Sequence, residues 1–330
     1  MTSSHARGSA GSLKVKLATV SEAPWSLSLL REFEGLALRD TVRQHALDSD
    51  PEIADLILFV DAHQNLSDWS MHSLRRHPLV QRFPERVLVY DERDQPVDLF
   101  PGVYVSMPAK RFDPGRHRAF AYYHLKTETE DLADREPDLL FSFQGRHVAG
   151  FRDDILRLRH PRALVEETSS YDFFRGSADS LSEARSRYRD VVGRSKFVLC
   201  PRGAGTSTFR LFEVLAAGRV PVIVSDDWVA PEGVQWSKVS VRVRENDVAA
   251  IPRVLAALET DWPIMSRGAR AAYLERFSLD VWFHNLVEHC RSIQMNGPPG
   301  RRPRFWLQSA LWRLGARNGR SLLRSATARR

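Results

Sequence analysis

Three polar residues at helical spacing, Ser207, Arg210 and Glu213, follow a loop rich in glycine, serine and threonine in this chain of 330 residues. At about 100° per residue, their side chains share one arc of roughly 120° on a helix. The free N–H groups of a helix N-terminus attract anions, Arg202 and Arg210 add positive charge, and Glu213 supplies a fixed acceptor. A phosphate near the loop and two sugar hydroxyls near Glu213 suit this arrangement, which is typical of a nucleotide site.

The same spacing also has a simpler explanation. Arg210 and Glu213 can form an ion pair on the surface of an ordinary amphipathic helix, and such pairs are common. The loop lacks the Gly-Lys-Ser/Thr sequence that ends a P-loop, and two glycines at 203 and 205 are weak evidence by themselves. Spacing alone therefore leaves both interpretations open.

The elements around these residues predict one βαβ unit. Residues 197–200 form an unbroken apolar run, typical of a strand buried on both faces of a parallel sheet. A helix over 207–217 follows, with Gly218 suited to the left-handed position after its end, and a second apolar strand spans 220–224. Ligands of open parallel sheets bind beyond the carboxyl ends of the strands, where the 201–207 loop begins.

This segment resembles the core motif of the exostosin-type glycosyltransferases over about fifty residues. The residues that match the motif, in order, are Pro201, Gly203, Ser207, Arg210, Glu213 and 220–223. The match continues through Asp226, Trp228 and Trp236 to Glu245 and Asp247. The resemblance implies that Ser207 and the backbone amides of 203–207, including Gly203, hold the diphosphate of a sugar donor. It also implies that Arg202 and Arg210 neutralise the leaving group. Glu213 is then expected to bind ribose hydroxyls, and Asp226 is expected at the same donor site.

A second segment resembles the same family. A strand over 139–143 leads through a glycine to Arg146, and a helix over 151–158 carries Arg152 in its first turn. The resemblance implies that Arg146 and Arg152 point toward the donor phosphates. Arg152 can instead pair with a neighbouring carboxylate such as Asp153.

The first half of the chain predicts another α/β unit, whose strands end in polar clusters. Its predicted strands lie at 13–17, 54–60 and 87–90, with a helix at 71–82. Asp61 and His63 follow the second strand and are the first candidates for the general base that deprotonates an acceptor hydroxyl. Alternatively, Asp61 caps the next segment and His63 is a solvated loop residue.

Paired carboxylates at Asp91 and Asp94 raise the possibility of a magnesium or manganese site beside phosphates. Their spacing is not the Asp-x-Asp of metal-dependent sugar transferases, and Asp226 and Asp227 are adjacent rather than spaced. The resemblance implies that basic side chains and a helix dipole take the place of a metal. We therefore expect no metal and no cofactor, with the nucleotide sugar as a substrate.

Length and composition predict two domains in a globular protein. The chain is 43% hydrophobic and 27% charged, which is ordinary for such proteins. An acidic segment at 125–138 is a suitable linker, which gives an acceptor domain at 13–137 and a nucleotide-sugar domain at 138–296. Together with the resemblance, this predicts an α/β fold of two Rossmann-like domains that face each other across a cleft, the GT-B arrangement.

Positive charge is concentrated at the C-terminal end. The chain carries a formal net charge of +7, and residues 301–330 hold nine arginines and no acid, so the preceding residues carry −2. Aromatic and leucine residues interleave with these arginines, so 297–330 is expected to be a basic amphipathic helix on an anionic membrane surface. A helix packed on the first domain and a disordered basic tail are the alternatives. Nucleic acid is not the expected partner, since the basic charge is not spread over the body of the protein.

The remaining sequence features concern location. Residues 1–12 lack the apolar segment of a signal peptide and are expected to be a disordered tail. No apolar run approaches the ~18 residues that span a bilayer. Cys200 and Cys290 lie in apolar elements and are expected to be reduced core thiols. These features favour a cytoplasmic location, and the basic segment at 301–330 is the feature that suggests a position at the periphery of a membrane.

The prediction is a hexosyl- or glycuronosyltransferase. It is expected to move a sugar from a nucleotide diphosphate donor, expected to be UDP-linked, to a glycan or lipid-linked saccharide, with inversion and without a metal. One alternative is a non-catalytic nucleotide-sugar-binding partner protein. Another is a membrane- or RNA-associated protein that acts through its basic C-terminal segment.

Overall fold

The structure is a computed structural model that describes residues 11–61, 71–125, 127–146, 150–168 and 178–296. These residues form two separate β-sheets in which every strand pair is parallel. The first sheet contains β1 (Lys14–Ala18), β2 (Ala46–Leu47), β3 (Leu56–Phe59), β4 (Val87–Asp91), β5 (Gly102–Tyr104) and β6 (His117–Ala119). The second contains β7 (Leu139–Gly145), β8 (Ala163–Glu167), β9 (Ser195–Pro201), β10 (Val220–Val224) and β11 (Val241–Arg242). The predicted α/β fold with two parallel-sheet domains is confirmed.

Helices pack around both sheets and connect the strands. They are α1 (Pro24–Arg39), α2 (His72–Arg76), α3 (Pro78–Arg82), α4 (Phe151–Leu156), α5 (Ala178–Arg194), α6 (Phe209–Ala216), α7 (Trp236–Val239), α8 (Ile251–Ala257), α9 (Trp262–Arg276) and α10 (Trp282–Asn296). None of the described helices combines the length and the apolar character needed to cross a membrane.

Both sheets reverse their strand order at one point. The orders are β2-β1-β3-β4-β5-β6 and β11-β10-β9-β7-β8, so the reversals fall between β1 and β3 and between β7 and β9. Connections on the two sides of such a point leave in opposite directions and open a crevice beyond the carboxyl ends of the strands. The fold therefore predicts a ligand crevice beside β7 and β9.

The βαβ unit predicted from sequence is present as β9, α6 and β10. All five residues of β10 are buried, as expected for a strand covered on both faces. Gly218 has a φ of +62°, which confirms the left-handed position after the helix. The helix begins two residues later than predicted because Thr208 is still extended, with a φ of −151°.

One further local prediction differs from the structure. The helix expected at 71–82 is two short helices, because Pro78 favours an extended conformation at His77 and begins a new helix. β11 contains only two residues, since α7 occupies 236–239 just before it.

The two sheets share one apolar core. Tyr122, which follows the first sheet, stacks on Phe209 of α6 with ring centroids 3.7 Å apart. Helix α10 also returns to the first sheet, where the indole Nε1 of Trp282 donates to the carbonyl of Tyr122 at 3.1 Å. The predicted boundary near residue 137 falls between the sheets, but α10 packs with the first domain although the sequence assigned it to the second.

Some predicted segments lie outside the described residues. These include most of the expected N-terminal tail, His63 and the basic segment after Asn296. Cys200 and Cys290 are both buried and unpaired, as expected for core thiols.

Candidate functional site

A polar cavity of about 780 Å³ lies between the two domains. The first domain lines it with loops that follow β4 and β5, which include Asp94 and Lys110. The second domain lines it with loops that follow β9, β10 and β11, which include Arg202, Asp226 and Glu245. Because all these loops leave from carboxyl ends of parallel strands, the cavity lies where ligands bind in such folds.

The loop after β9 (residues 202–207, here the donor loop) fits closely against the first domain. A Cβ atom added at Gly205 would lie 2.6 Å from Asp94 Oδ1 and 2.8 Å from Ser106 Oγ. The backbone N–H of Ser207 donates to Ser106 Oγ at 3.4 Å, and the Ser207 side chain is buried. Gly203 is different, since a Cβ there would come no closer than 3.8 Å to Arg152. Only glycine therefore fits at position 205, whereas position 203 has room.

Arg152 lies directly behind the donor loop. Its Nε donates to the carbonyl of Arg202 at 3.0 Å, and its Nη2 donates to the carbonyls of Arg202 at 2.7 Å and Pro201 at 3.2 Å. Burial, together with the nearby positive charges of Arg210 and Arg202, lowers the pKa of Arg152 to about 10. Arg152 is thus a partly buried cation beside two other cations.

Arg210 connects α6 to β7 across the reversal point of the second sheet. Its Nη2 donates to the carbonyl of Gln144, and its guanidinium lies 5.1 Å from the ring centroid of Phe143. Its Nε is buried and makes no hydrogen bond with any described residue. Such a buried donor is costly unless a partner satisfies it.

Arg202 faces the cavity but its charge is compensated. It forms two hydrogen bonds to Glu245, at 2.6 and 2.9 Å, and this pairing raises the pKa of Arg202 and lowers that of Glu245. The backbone N–H of Asp226 donates to Glu245 Oε1 at 3.2 Å, and the backbone N–H of Glu245 donates to Asp226 Oδ1 at 3.1 Å. Arg202, Asp226 and Glu245 therefore form one framework that ties together the loops after β9, β10 and β11.

Glu213 is buried, so a solvated surface ion pair does not describe it. Its Oε1 accepts the backbone N–H of Thr127 at 2.9 Å, and its Oε2 accepts the hydroxyl of Tyr188 at 2.7 Å. Its backbone carbonyl also accepts the hydroxyl of Thr129 at 2.6 Å. Glu213 thereby fixes the interdomain segment onto α6, and its contact with ribose stays a prediction.

Asp61 has a defined place in the first domain. Its Oδ1 accepts the backbone N–H of Val20 at 2.7 Å, and its Oδ2 accepts the hydroxyl of Ser26 at 2.6 Å. It therefore joins the loop after β1 to α1, and burial raises its pKa in spite of these bonds. The described residues that line the cavity do not include it. Its role as a base stays a prediction, as does that of His63, which lies outside the described residues.

Two further predicted residues can be placed. Arg146 follows β7 and is exposed, so its contact with phosphates stays a prediction. Trp228 is buried and meets Trp236 edge to face, with ring centroids 5.0 Å apart, so in this structure it packs within its loop.

The sequence did not identify Asp94 as an individual functional residue. Asp94 is exposed to the cavity and accepts the backbone N–H of Gly205, while partial burial raises its pKa. Its supposed metal partner Asp91 is fully buried and paired with Arg93. The described residues contain no group of three or more His, Cys, Asp or Glu side chains that could hold a metal ion. The signal that could have identified Asp94 was its position after a strand, at the carboxyl edge of the sheet.

The chain is similar in sequence to proteins of one glycosyltransferase family. Residues 69–258 match the family described as the exostosin GT47 domain. The exostosin-1 homolog of Caenorhabditis elegans is 29% identical over 141 residues, which cover 38% of this chain and 37% of that protein. A probable glucuronosyltransferase of Oryza sativa subsp. japonica is 35% identical over 85 residues, 25% of this chain and 20% of that protein.

The chain therefore spans about a third or less of the length of these relatives. Among solved structures, a glycosyltransferase from Rickettsia africae ESF-5 superposes with a TM-score of 0.44 at 10% identity, covering 88% of this chain and all of that one. The family match covers more than half of the chain and includes the donor loop, α6 and the cavity loops. The chain belongs to the exostosin GT47 family.

Proposed function

We propose that this protein transfers a sugar from a nucleotide diphosphate donor, UDP-linked, to a glycan or lipid-linked saccharide, with inversion and without a metal. Membership of the exostosin GT47 family supports sugar transfer. The relatives named as glucuronosyltransferases support a hexosyl or glycuronosyl group as the one transferred.

One observation carries this proposal. Arg152, Arg202 and Arg210 converge beside β7 and β9, and within the described part of the chain only Arg202 of these three pairs with a carboxylate. The pKa of Arg152 is lowered to about 10 by burial and by two neighbouring cations. Positive charge held in this way at a strand-order reversal favours an anion, and a diphosphate supplies the required charge.

The arginines have guanidinium N–H groups left over to donate to that anion. A guanidinium has five N–H donors in a fixed fork. Arg152 uses Nε and one terminal nitrogen for carbonyls of the donor loop, and Arg210 leaves a buried Nε without a partner among the described residues. The backbone amides of 203–207 and the hydroxyl of Ser207 complete the proposed diphosphate site, and Arg202 stabilises the leaving group from the cavity wall.

In the proposed reaction the acceptor approaches from the loops of the first domain. Its hydroxyl attacks the anomeric carbon from the face opposite the nucleotide, and the bond to the diphosphate breaks in the same step. The arginines neutralise the negative charge that develops on the departing diphosphate, which lowers the barrier.

A panel of nucleotide sugars tests the proposal. The protein is incubated with UDP-glucose, UDP-glucuronic acid, UDP-xylose, UDP-N-acetylglucosamine and GDP-fucose, and nucleoside diphosphate release is measured with and without EDTA. We expect slow hydrolysis of at least one UDP-sugar, unchanged by EDTA. We expect Arg210→Ala to lower the rate by tenfold or more, because a charged hydrogen bond contributes about 1.5–3 kcal/mol.

The matched control is Arg253→Ala, because Arg253 is exposed on α8 and away from the cavity-lining loops. It should behave like the wild type. Absence of both binding and hydrolysis across the panel would reject the proposed function. Loss of activity in EDTA that manganese restores would reject the metal-independent part alone.

A further inference from the structure

We propose that Asp94 is the general base that removes the proton from the acceptor hydroxyl. This inference rests on the proposed sugar transfer and assigns a catalytic residue on the acceptor side of the same site.

The position of Asp94 suits a general base. Asp94 lies in the loop after β4, is exposed, and lines the cavity between the domains. The donor loop lines the same cavity with Arg202, Gly205 and Thr206. A carboxylate of the first domain therefore lies at the wall of the cavity, in contact with Gly205 of the donor loop and beside the space where an acceptor must enter.

The protein fixes the loop that carries Asp94. Asp91 and Arg93, which precede Asp94, form a buried ion pair. The Nε of Arg93 lies 3.1 and 3.0 Å from the two oxygens of Asp91, whose Oδ1 also accepts the backbone N–H of Arg93 at 2.9 Å. Such a pair holds the backbone in one conformation and directs the next side chain into the cavity.

The surroundings of Asp94 change the basicity of its carboxylate. Surrounding protein raises the pKa of Asp94, whereas the backbone N–H of Gly205 lowers it. A carboxylate with a raised pKa is a stronger base than a free aspartate. Asp61 is less available, because both of its oxygens accept protein hydrogen bonds and it is buried.

The step balances without a further reagent. Asp94 takes the proton of the acceptor hydroxyl as the acceptor oxygen forms a bond to the anomeric carbon. The bond between that carbon and the diphosphate oxygen breaks, and its electron pair leaves with the nucleoside diphosphate. In donor hydrolysis, water takes the place of the acceptor hydroxyl.

The competing role for Asp94 is structural, as an acceptor that holds Gly205 of the donor loop. Asp94→Asn separates the two roles, because asparagine keeps the shape and an oxygen acceptor for this N–H but is not a base. Asp94→Ala removes both functions. Asp113→Asn is the matched control, since Asp113 also accepts the backbone N–H of a glycine, Gly115 at 2.9 Å, outside the cavity lining.

The experiment measures kcat for hydrolysis of the best UDP-sugar, the Kd of UDP and the melting temperature for all four proteins. We expect Asp94→Asn and Asp94→Ala both to lose about 10²- to 10⁴-fold in kcat, and the UDP affinity of Asp94→Asn to stay within threefold of the wild type. Asp113→Asn should keep the wild-type kcat.

Other outcomes overturn the inference. An active Asp94→Asn, whether or not Asp94→Ala is active, shows that the carboxylate is not the base. A parallel loss of UDP affinity in Asp94→Asn shows that Asp94 supports the donor loop instead. If the wild type hydrolyses no donor, the proposed function itself fails and this inference fails with it, which the wild-type assay distinguishes from a failure of Asp94 alone.

Discussion

Replacing Gly205 by alanine probes the closest contact between the donor loop and the first domain. The new Cβ would lie 2.6 Å from Asp94 Oδ1, 2.8 Å from Asp94 Cα and 2.8 Å from Ser106 Oγ. A side-chain oxygen can rotate away, but Cα belongs to the backbone. The substitution therefore forces the donor loop and the loop that carries Asp94 apart.

The size of the effect follows from these distances. Ordinary contact begins at 3.4 Å, so the backbone of Asp94 must withdraw by about 0.6 Å. Overpacking of this kind costs about 1–3 kcal/mol, which lowers the melting temperature by several degrees. A misplacement of about 1 Å can also cost 10²-fold in rate, and we expect at least a tenfold loss of donor hydrolysis.

Differential scanning fluorimetry and the hydrolysis assay measure both effects. Gly203→Ala is the matched control for stability, since its Cβ would come no closer than 3.8 Å to Arg152, and it should melt like the wild type. If Gly205→Ala melts like the wild type and hydrolyses the donor at the wild-type rate, the close interdomain contact is refuted.

Two further predictions concern stability and the C-terminal segment. Glu259 accepts hydrogen bonds from Arg162 and Lys196, at 2.6 Å each, which hold its pKa at about 2, below the ordinary 4.5. A carboxyl group whose pKa is lower in the folded than in the unfolded protein stabilises the fold at pH values above its unfolded-state pKa. This contribution is lost as the pH falls toward 2. Glu259→Gln should therefore lower the free energy of unfolding by up to about 1 kcal/mol at pH 7, as measured by urea unfolding. The difference from the wild type should narrow between pH 5 and pH 2. A difference that does not depend on pH would contradict the ion pairs. Deletion of 301–330, which removes nine arginines, should abolish co-sedimentation with phosphatidylserine-containing vesicles, and unchanged co-sedimentation would exclude this segment as the membrane contact.

The parts of the fold that local sequence determines could be predicted. The apolar runs of β9 and β10, the amphipathic α6 and Gly218 each carry their own signal within a few residues. The donor loop was located in the same way, because it lies between two such signals.

Partners distant in sequence could not be predicted. Arg210 reaches the carbonyl of Gln144 on β7, and Glu213 accepts the N–H of Thr127 in the interdomain segment. No periodicity in a single segment encodes such contacts, since they depend on how the strands are ordered and how the domains dock. The placement of α10 on the first sheet was missed for the same reason.

The candidate base shows this limit most clearly. Asp61 and Asp94 both follow a buried strand and look equivalent in sequence. In the structure, Asp61 is buried and its two carboxylate oxygens accept hydrogen bonds from Val20 and Ser26, whereas Asp94 is exposed to the cavity. Solvent access and hydrogen-bond occupancy separate them, and neither property can be read from one sequence.

The most direct test of the proposed diphosphate site is the affinity of the protein for UDP and for uridine, measured by isothermal titration calorimetry. A diphosphate held by Arg152, Arg202 and Arg210 predicts that UDP binds far more tightly than uridine. Arg210→Ala should then lose at least tenfold in UDP affinity with uridine affinity unchanged, while Arg253→Ala binds both like the wild type. Equal UDP affinity in Arg210→Ala and the wild type would contradict the proposed site.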